Sequence, residues 1–217
     1  ARVDSCKLGE LTVKQVPALT MDLRRFSKPV FKRVRLDGII GTVFLYHFIP
    51  TLDFVKARLV LRRRSPENVR RVESESLAQS SYAVPFWMAD DHIMVAWGTV
   101  NGGKAMLMFV DTGLAGGGFS CPKSTIKEAG IDLKYGLGGI GMGGGGEFKF
   151  VPFFVDELTL GEFHEEGILG AYLGKFPLDC GFRIGGLVSH GFFRRSALTF
   201  DFIGMRLFIQ RPEHSSP

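Results

Sequence analysis

A shift of 148 positions lays one part of this 217-residue chain on another without a gap. Gly38 falls on Gly186 and Phe44 on Phe192. Thr51-Leu52-Asp53-Phe54 falls on Thr199-Phe200-Asp201-Phe202, and Arg58-Leu59-Val60-Leu61 on Arg206-Leu207-Phe208-Ile209. Seven of the 24 aligned positions are identical, and most of the rest keep their apolar character. At a shift of 147, Glu10-Leu11-Thr12-Val13 also matches Glu157-Leu158-Thr159-Leu160. A period this long is too great for a solenoid, so the chain reads as two related lobes. Each copy contains two short apolar runs across a tight turn, the pattern of a β-hairpin.

Twenty Phe and 28 Gly, with no long helical periodicity, turn the class towards all-β. A hydrophobic fraction of 45% against 23% charged residues describes a chain that can bury a core. The formal charge of +5 is mild, and much of it sits in Arg62-Arg63-Arg64 and Arg70-Arg71. No aromatic residues interleave with those arginines, so they read as a solvated connector and not as a nucleic-acid surface. No run of 18 apolar residues occurs, so no membrane span is expected. Cys6, Cys121 and Cys180 show no metal-binding spacing; one disulfide with a spare thiol and three free thiols both fit. His164-Glu165-Glu166 starts like a zinc-protease helix, but Ile168 stands where a second His is required, so exposed loop residues are expected there. No metal and no cofactor is called for.

The chemistry concentrates where the apolar run Ala105–Val110 delivers one carboxylate, Asp111, into Thr112-Gly113-Leu114-Ala115-Gly116-Gly117-Gly118. Glycines beside a carboxylate allow close backbone approach, so N–H groups can point at it. Apolar surroundings raise a carboxyl pKa and N–H donors lower it, which suits acid–base work. Taken alone, the triplet Asp-Thr-Gly is equally a strand ending in an ordinary turn. Around it, His92–Val100, the turn Asn101-Gly102-Gly103 and Lys104–Val110 predict a hairpin ending at Asp111. Pro122–Ala129 predicts a short helix closed by Gly130. Gly136–Gly146 predicts a flexible loop between strands, and Phe148–Leu160 a strand. Gly136-Leu137-Gly138-Gly139-Ile140-Gly141 matches a dinucleotide fingerprint by letter, but no helix follows it. Asp53 and Asp201 repeat too, but their strand–turn setting predicts a structural role.

Asp111-Thr112-Gly113, the glycine-rich loop behind it and the apolar-apolar-Gly element Ile39-Ile40-Gly41 together resemble the aspartic proteases, of the retropepsin-like and pepsin-like group. The resemblance implies an all-β, bilobal architecture of β-barrel lobes. Residues 1–61 would be the C-terminal half of a first lobe, 62–85 an inter-lobe linker, 86–211 a complete second lobe, and 212–217 a tail. It implies an aspartic-type endopeptidase in which Asp111 is one of two carboxylates sharing a proton. Thr112 would lock the two active-site loops together, and Gly113 would bring backbone N–H groups to the carboxylate. Gly139, Ile140, Gly141, Met142 and Gly143 would be a flap closing over a peptide or protein substrate.

Two departures accompany the resemblance. Leu114-Ala115 follows Gly113 where a small hydroxyl residue is usual, and Ser189 stands in Leu187-Val188-Ser189 where a Gly is expected. No second Asp-Thr-Gly or Asp-Ser-Gly occurs in the chain. The second acid is therefore expected from an upstream segment completing the first lobe, or from a second copy of the chain. The repeat favours the segment. The competing reading is a catalytically silent relative that keeps the cleft to bind peptides or partner proteins. The residues decide nothing about location; an exported site, periplasmic or secreted, suits this kind of protein.

Overall fold

Arg2–Leu8 (β1) and Leu11–Pro17 (β2) form an antiparallel hairpin that turns at Gly9-Glu10. The structure, a computed structural model, describes residues 1–23, 37–79, 81–89, 93–114, 117–143, 146–176 and 181–211. Cys180, His92, His214, part of the loop after Asp111 and the tail 212–217 lie outside them.

After residues 37–41 come a short helix, Thr42–Leu45 (α1), and the hairpin Phe48–Asp53 (β3) with Arg58–Arg63 (β4). The segment 62–85 has more structure than a linker needs. Pro66–Ala78 forms a helix (α2), capped by Ser65 Oγ, which accepts the Asn68 N–H at 3.2 Å. Tyr82–Pro85 (β5) then joins a sheet. The second unit follows as Trp87–Ala89 (β6), Ile93–Gly98 (β7), Met106–Asp111 (β8), Phe119–Ser120 (β9) and helix Lys123–Glu128 (α3). It continues with Gly139–Gly143 (β10), Gly146–Leu160 (β11), Phe163–Tyr172 (β12) and Gly186–Ser189 (β13). Helix His190–Phe193 (α4) and the hairpin Ala197–Asp201 (β14) with Arg206–Gln210 (β15) close it.

The protein is mostly β, as composition predicted. An eight-stranded sheet runs β10-β11-β12-β9-β13-β8-β7-β6, and a five-stranded one β4-β3-β14-β15-β5. Among the described residues the end strands β10 and β6 do not pair, and no closed barrel is formed by either sheet. Of these ends, β6 has three residues and β10 is a glycine-rich strand paired on one side only. Between the sheets lies the main core, with Phe119, Phe153, Phe163, Phe192, Phe193 and Leu198 fully buried. Helix α2 covers another face of the five-stranded sheet, packing Val72 against Ile49 and Phe208.

The repeat is written into the backbone. Helices α1 and α4 and the hairpins β3–β4 and β14–β15 coincide at the shift of 148, down to left-handed residues Ala57 (φ 49°) and Met205 (φ 50°) at equivalent turn positions. Strands β3 and β14 pair antiparallel with Thr51 opposite Thr199, and the two hydroxyls hydrogen-bond at 2.8 Å. A residue that meets its own counterpart marks a local two-fold axis, so the two hairpins are related by rotation about this pair. The N-terminal match needs correction. The turn Leu8-Gly9-Glu10-Leu11 corresponds to Leu160-Gly161-Glu162-Phe163, with Gly9 (φ 59°) and Gly161 (φ 56°) both left-handed. That is a shift of 152, not the 147 that sets Glu10 on Glu157. Apolar alternation admits several registers, whereas a turn glycine admits one.

Cys121 is buried in the main core, and burial pushes its thiol pKa up to about 12. A protonated, enclosed thiol is a poor nucleophile. Alkylation of the native protein at mildly alkaline pH should therefore modify half-buried Cys6 and leave Cys121 untouched until denaturant is added, as peptide mass mapping would read out.

Candidate active site

Strand β8 ends at Asp111, and β13 runs parallel beside it with Ser189 opposite Asp111. Parallel pairing buries both strands, so Met108, Val110, Leu187 and Val188 are core residues and the polar groups stand at the strand ends. The Asp111 side chain is half-buried. Its Oδ1 accepts the Gly113 N–H at 2.9 Å, its one hydrogen bond among the described residues. A β-carbon at Gly113 would stand 3.2 Å from that oxygen, a tight contact that would press on the carboxylate.

Ser189 accounts for one departure from the family pattern. It is fully buried, and its Oγ lies 2.6 Å from the Asp111 carbonyl and 2.8 Å from the Leu114 carbonyl, so its single proton serves either acceptor. The hydroxyl clasps both ends of the turn that carries the acid. The residue pattern flagged position 189 as unusual, but only the parallel register shows what it touches.

The glycines after Asp111 have a packing reason. Ser189 N–H donates to the Gly118 carbonyl at 2.9 Å, and Gly191 N–H to the Gly117 carbonyl at 3.1 Å. A β-carbon on Gly118 would come within 2.7 Å of the Phe192 backbone nitrogen, and one on Gly191 within 2.6 Å of Gly118 N. Here backbone lies on backbone and nothing flexible can yield. Gly118→Ala should lower stability by about 1–3 kcal/mol, the range for overpacking, read as a fall in the urea midpoint at unchanged m-value.

The five residues expected to form the flap are β10 itself, so the glycine-rich segment contains a strand where a loop was predicted. Gly139 pairs with Phe150, Ile140 with Lys149, Gly141 with Phe148, Met142 with Glu147 and Gly143 with Gly146. A β-carbon on Gly139 would stand 2.8 Å from the Phe150 ring, and one on Gly141 2.5 Å from the Phe148 ring. The glycines are thus the floor on which two phenyl rings lie, an arrangement hidden in composition. Ile140 is exposed. Among the described residues no hydrogen bond joins β10 to the Asp111 turn, and Thr112 Oγ1 makes none.

The other candidates sort cleanly. Asp53 Oδ1 accepts the Lys56 N–H and Oδ2 the Arg58 Nε–H, both at 3.0 Å. Asp201 Oδ1 accepts the N–H groups of Ile203 and Gly204, also at 3.0 Å. Both acids are turn fasteners of their own hairpins. His164-Glu165-Glu166 lies on strand β12, not in a loop. Among the described residues no group of three or more His, Cys, Asp or Glu could hold a metal. No described helix is long and apolar enough to cross a membrane.

No protein-family model matches the chain, and no curated protein matches it in sequence. Among solved structures, it is similar to the crystal structure of a retropepsin-like aspartic protease from Rickettsia conorii, at 20% identity and a TM-score of 0.43. The likeness covers 59% of this chain and 97% of that one. At that level it decides neither fold nor chemistry, which the chain's own residues must supply.

Proposed function

We propose that this chain contributes one of the two carboxylates of an aspartic-type endopeptidase. The observation that carries the reading is the setting of Asp111. It is a lone acid at the end of a buried parallel strand, fixed by the Gly113 amide and by Ser189, in a chain whose repeated hairpins are related by a two-fold at Thr51 and Thr199. Under that symmetry, a second acid in the equivalent place would belong to the other unit. Two carboxylates brought within about 3 Å cannot both ionise, so the pair holds one proton.

The ionised member takes a proton from water as the water oxygen bonds to the peptide carbon. The protonated member donates to the carbonyl oxygen, giving a neutral tetrahedral diol. The acid that gained the water's proton passes it to the peptide nitrogen as the C–N bond breaks. The other carboxylate takes a proton from a diol hydroxyl as the carbonyl re-forms, so the dyad ends with one proton, as it began. On the face of β8 that carries Asp111, alternation sets Phe109 and Leu107, with Val95 and Leu187 opposite Phe109 in register. An apolar wall of this kind favours hydrophobic side chains next to the cut bond.

One observation favours the silent-cleft reading: among the described residues nothing but Gly113 meets the Asp111 carboxylate. Digestion of an unfolded protein mixture by the assembled protein, with the segment or partner that supplies the second acid present, from acid to neutral pH and with product ends mapped by mass spectrometry, separates the two. The protease reading expects cleavage that disappears in Asp111→Asn. Peptides bound but never cut at any pH would overturn it.

A further inference from the structure

Within the second unit, β13 lies directly before α4 and is covered on both sides. Strand β8 pairs with it in parallel and β9 antiparallel. All four residues of β13 are buried, Leu187 being 4% and Val188 0% exposed. The first unit repeats the helix and the hairpin that follow, but not the cover. At the positions of Leu187 and Val188 stand Ile39 and Ile40, 67% and 43% exposed, and no described strand pairs with residues 38–41. A β-carbon on Gly186 would lie 2.3 Å from the Phe119 ring of β9, whereas one on Gly38 meets nothing within 4 Å. The fully buried Ser189 corresponds to Gly41, around which a β-carbon also finds open space.

A second edge agrees. Strand β12 pairs in parallel with β9 through Gly170 and Phe119. At the shift of 152 its counterpart is β2, which pairs with β1 alone, and just beyond it Leu19 is 85% exposed. The core over these elements is correspondingly small: among the described residues Val13, Val16, Phe44 and Phe48 are buried in it. Two consecutive isoleucines at such exposure, at a place where the chain's own repeat prescribes a strand pair, point to an occupant.

We infer that residues 38–41, together with the end of β2, are the docking surface for a strand–turn–strand segment of the β8–β9 kind. Its first strand would lie parallel to 38–41, be apolar, and end in an acidic residue beside Gly41, as Asp111 ends beside Ser189. The nature of that last residue rests on the two-acid reading; the location does not. A second copy of the chain cannot lend its own β8, which pairs with β7 on one side and β13 on the other and buries Met108 and Val110. The occupant is a polypeptide segment outside the described residues, not the β8 of a second copy.

A synthetic peptide copying Lys104–Ser120 is the probe, and amide hydrogen exchange of the 217-residue chain is the readout. At a peptide concentration ten times its Kd, amides around 38–41 and 18–21 should exchange about tenfold more slowly, with those of β13 unchanged. A double variant, Ile39→Asp with Ile40→Asp, should lose that protection while the exchange of the five-stranded sheet stays as it was. A peptide with Asn in place of its Asp should dock equally well, since the location does not depend on the acid. Docking of the Asp peptide without any cleavage sinks the catalytic reading and leaves this one standing. No protection from either peptide, or equal protection in the double variant, would overturn the docking surface. Protection of the same amides by raising the concentration of the chain alone would also overturn it, by naming a second copy as the occupant.

Discussion

Asp111→Asn is expected to lower kcat/KM for peptide cleavage by at least about a thousand-fold while the protein folds as before. Asparagine has the same shape, and its side-chain oxygen can still accept the Gly113 N–H that Oδ1 accepts at 2.9 Å. It cannot take a proton from water, nor share one with a facing acid. The clasp from Ser189 goes to the backbone carbonyls of Asp111 and Leu114, which the substitution leaves in place. Stability should therefore stay within about 1 kcal/mol, the net worth of one partly exposed hydrogen bond. Initial rates on a mapped substrate, with thermal unfolding beside them, check both halves. Retained cleavage in the folded variant removes Asp111 from the chemistry.

Asp201→Ala should have the largest effect on stability, a loss of about 3 kcal/mol in a denaturant titration. The carboxylate is 2% exposed and serves three donors: the N–H groups of Ile203 and Gly204 and, at 3.3 Å, Arg206 Nη2. Its removal strands two turn amides and half of an arginine that also binds Glu73 at 2.6 Å. The repeat supplies the control. Asp53 holds Arg58 in the same way, but Arg58 is 57% exposed and water can replace what is lost. Asp53→Ala should accordingly cost about 1 kcal/mol. Equal losses at the two sites would contradict the burial argument.

The same cluster has a pH signature. The hydrogen bond and charge of Arg206 hold the Glu73 carboxyl below the usual carboxylate range. Its contribution is thus present above the unfolded-state pKa and disappears only as pH falls through the lowered folded value.

How far the residues alone reach can be judged from particular elements. The hairpins at Thr51 and Thr199 and the strand ending at Asp111 were readable, because alternation and turn residues are local signals. Ser65 and Pro66 at the start of α2 are local signals of the same kind, though they do not show that β5 extends the sheet beyond it. Pairings between distant strands were not readable. That β13 lies parallel to β8, and hence that Ser189 clasps the Asp111 turn, depends on residues far apart in sequence. The register of the first hairpin was not readable from apolar identity, because the turn at Gly9 decides it. Glycines 139 and 141 suggested a loop because composition cannot show the phenyl rings of Phe148 and Phe150 above them.

A crystal structure of the protein assembled with its docking segment tests the central claim most directly, through the distance from the Asp111 carboxylate to the nearest other acid. The two-acid reading predicts a second carboxylate within about 3 Å, close enough to share a proton. An ordered assembly in which Asp111 still meets only Gly113, with no acid facing it, would contradict that reading.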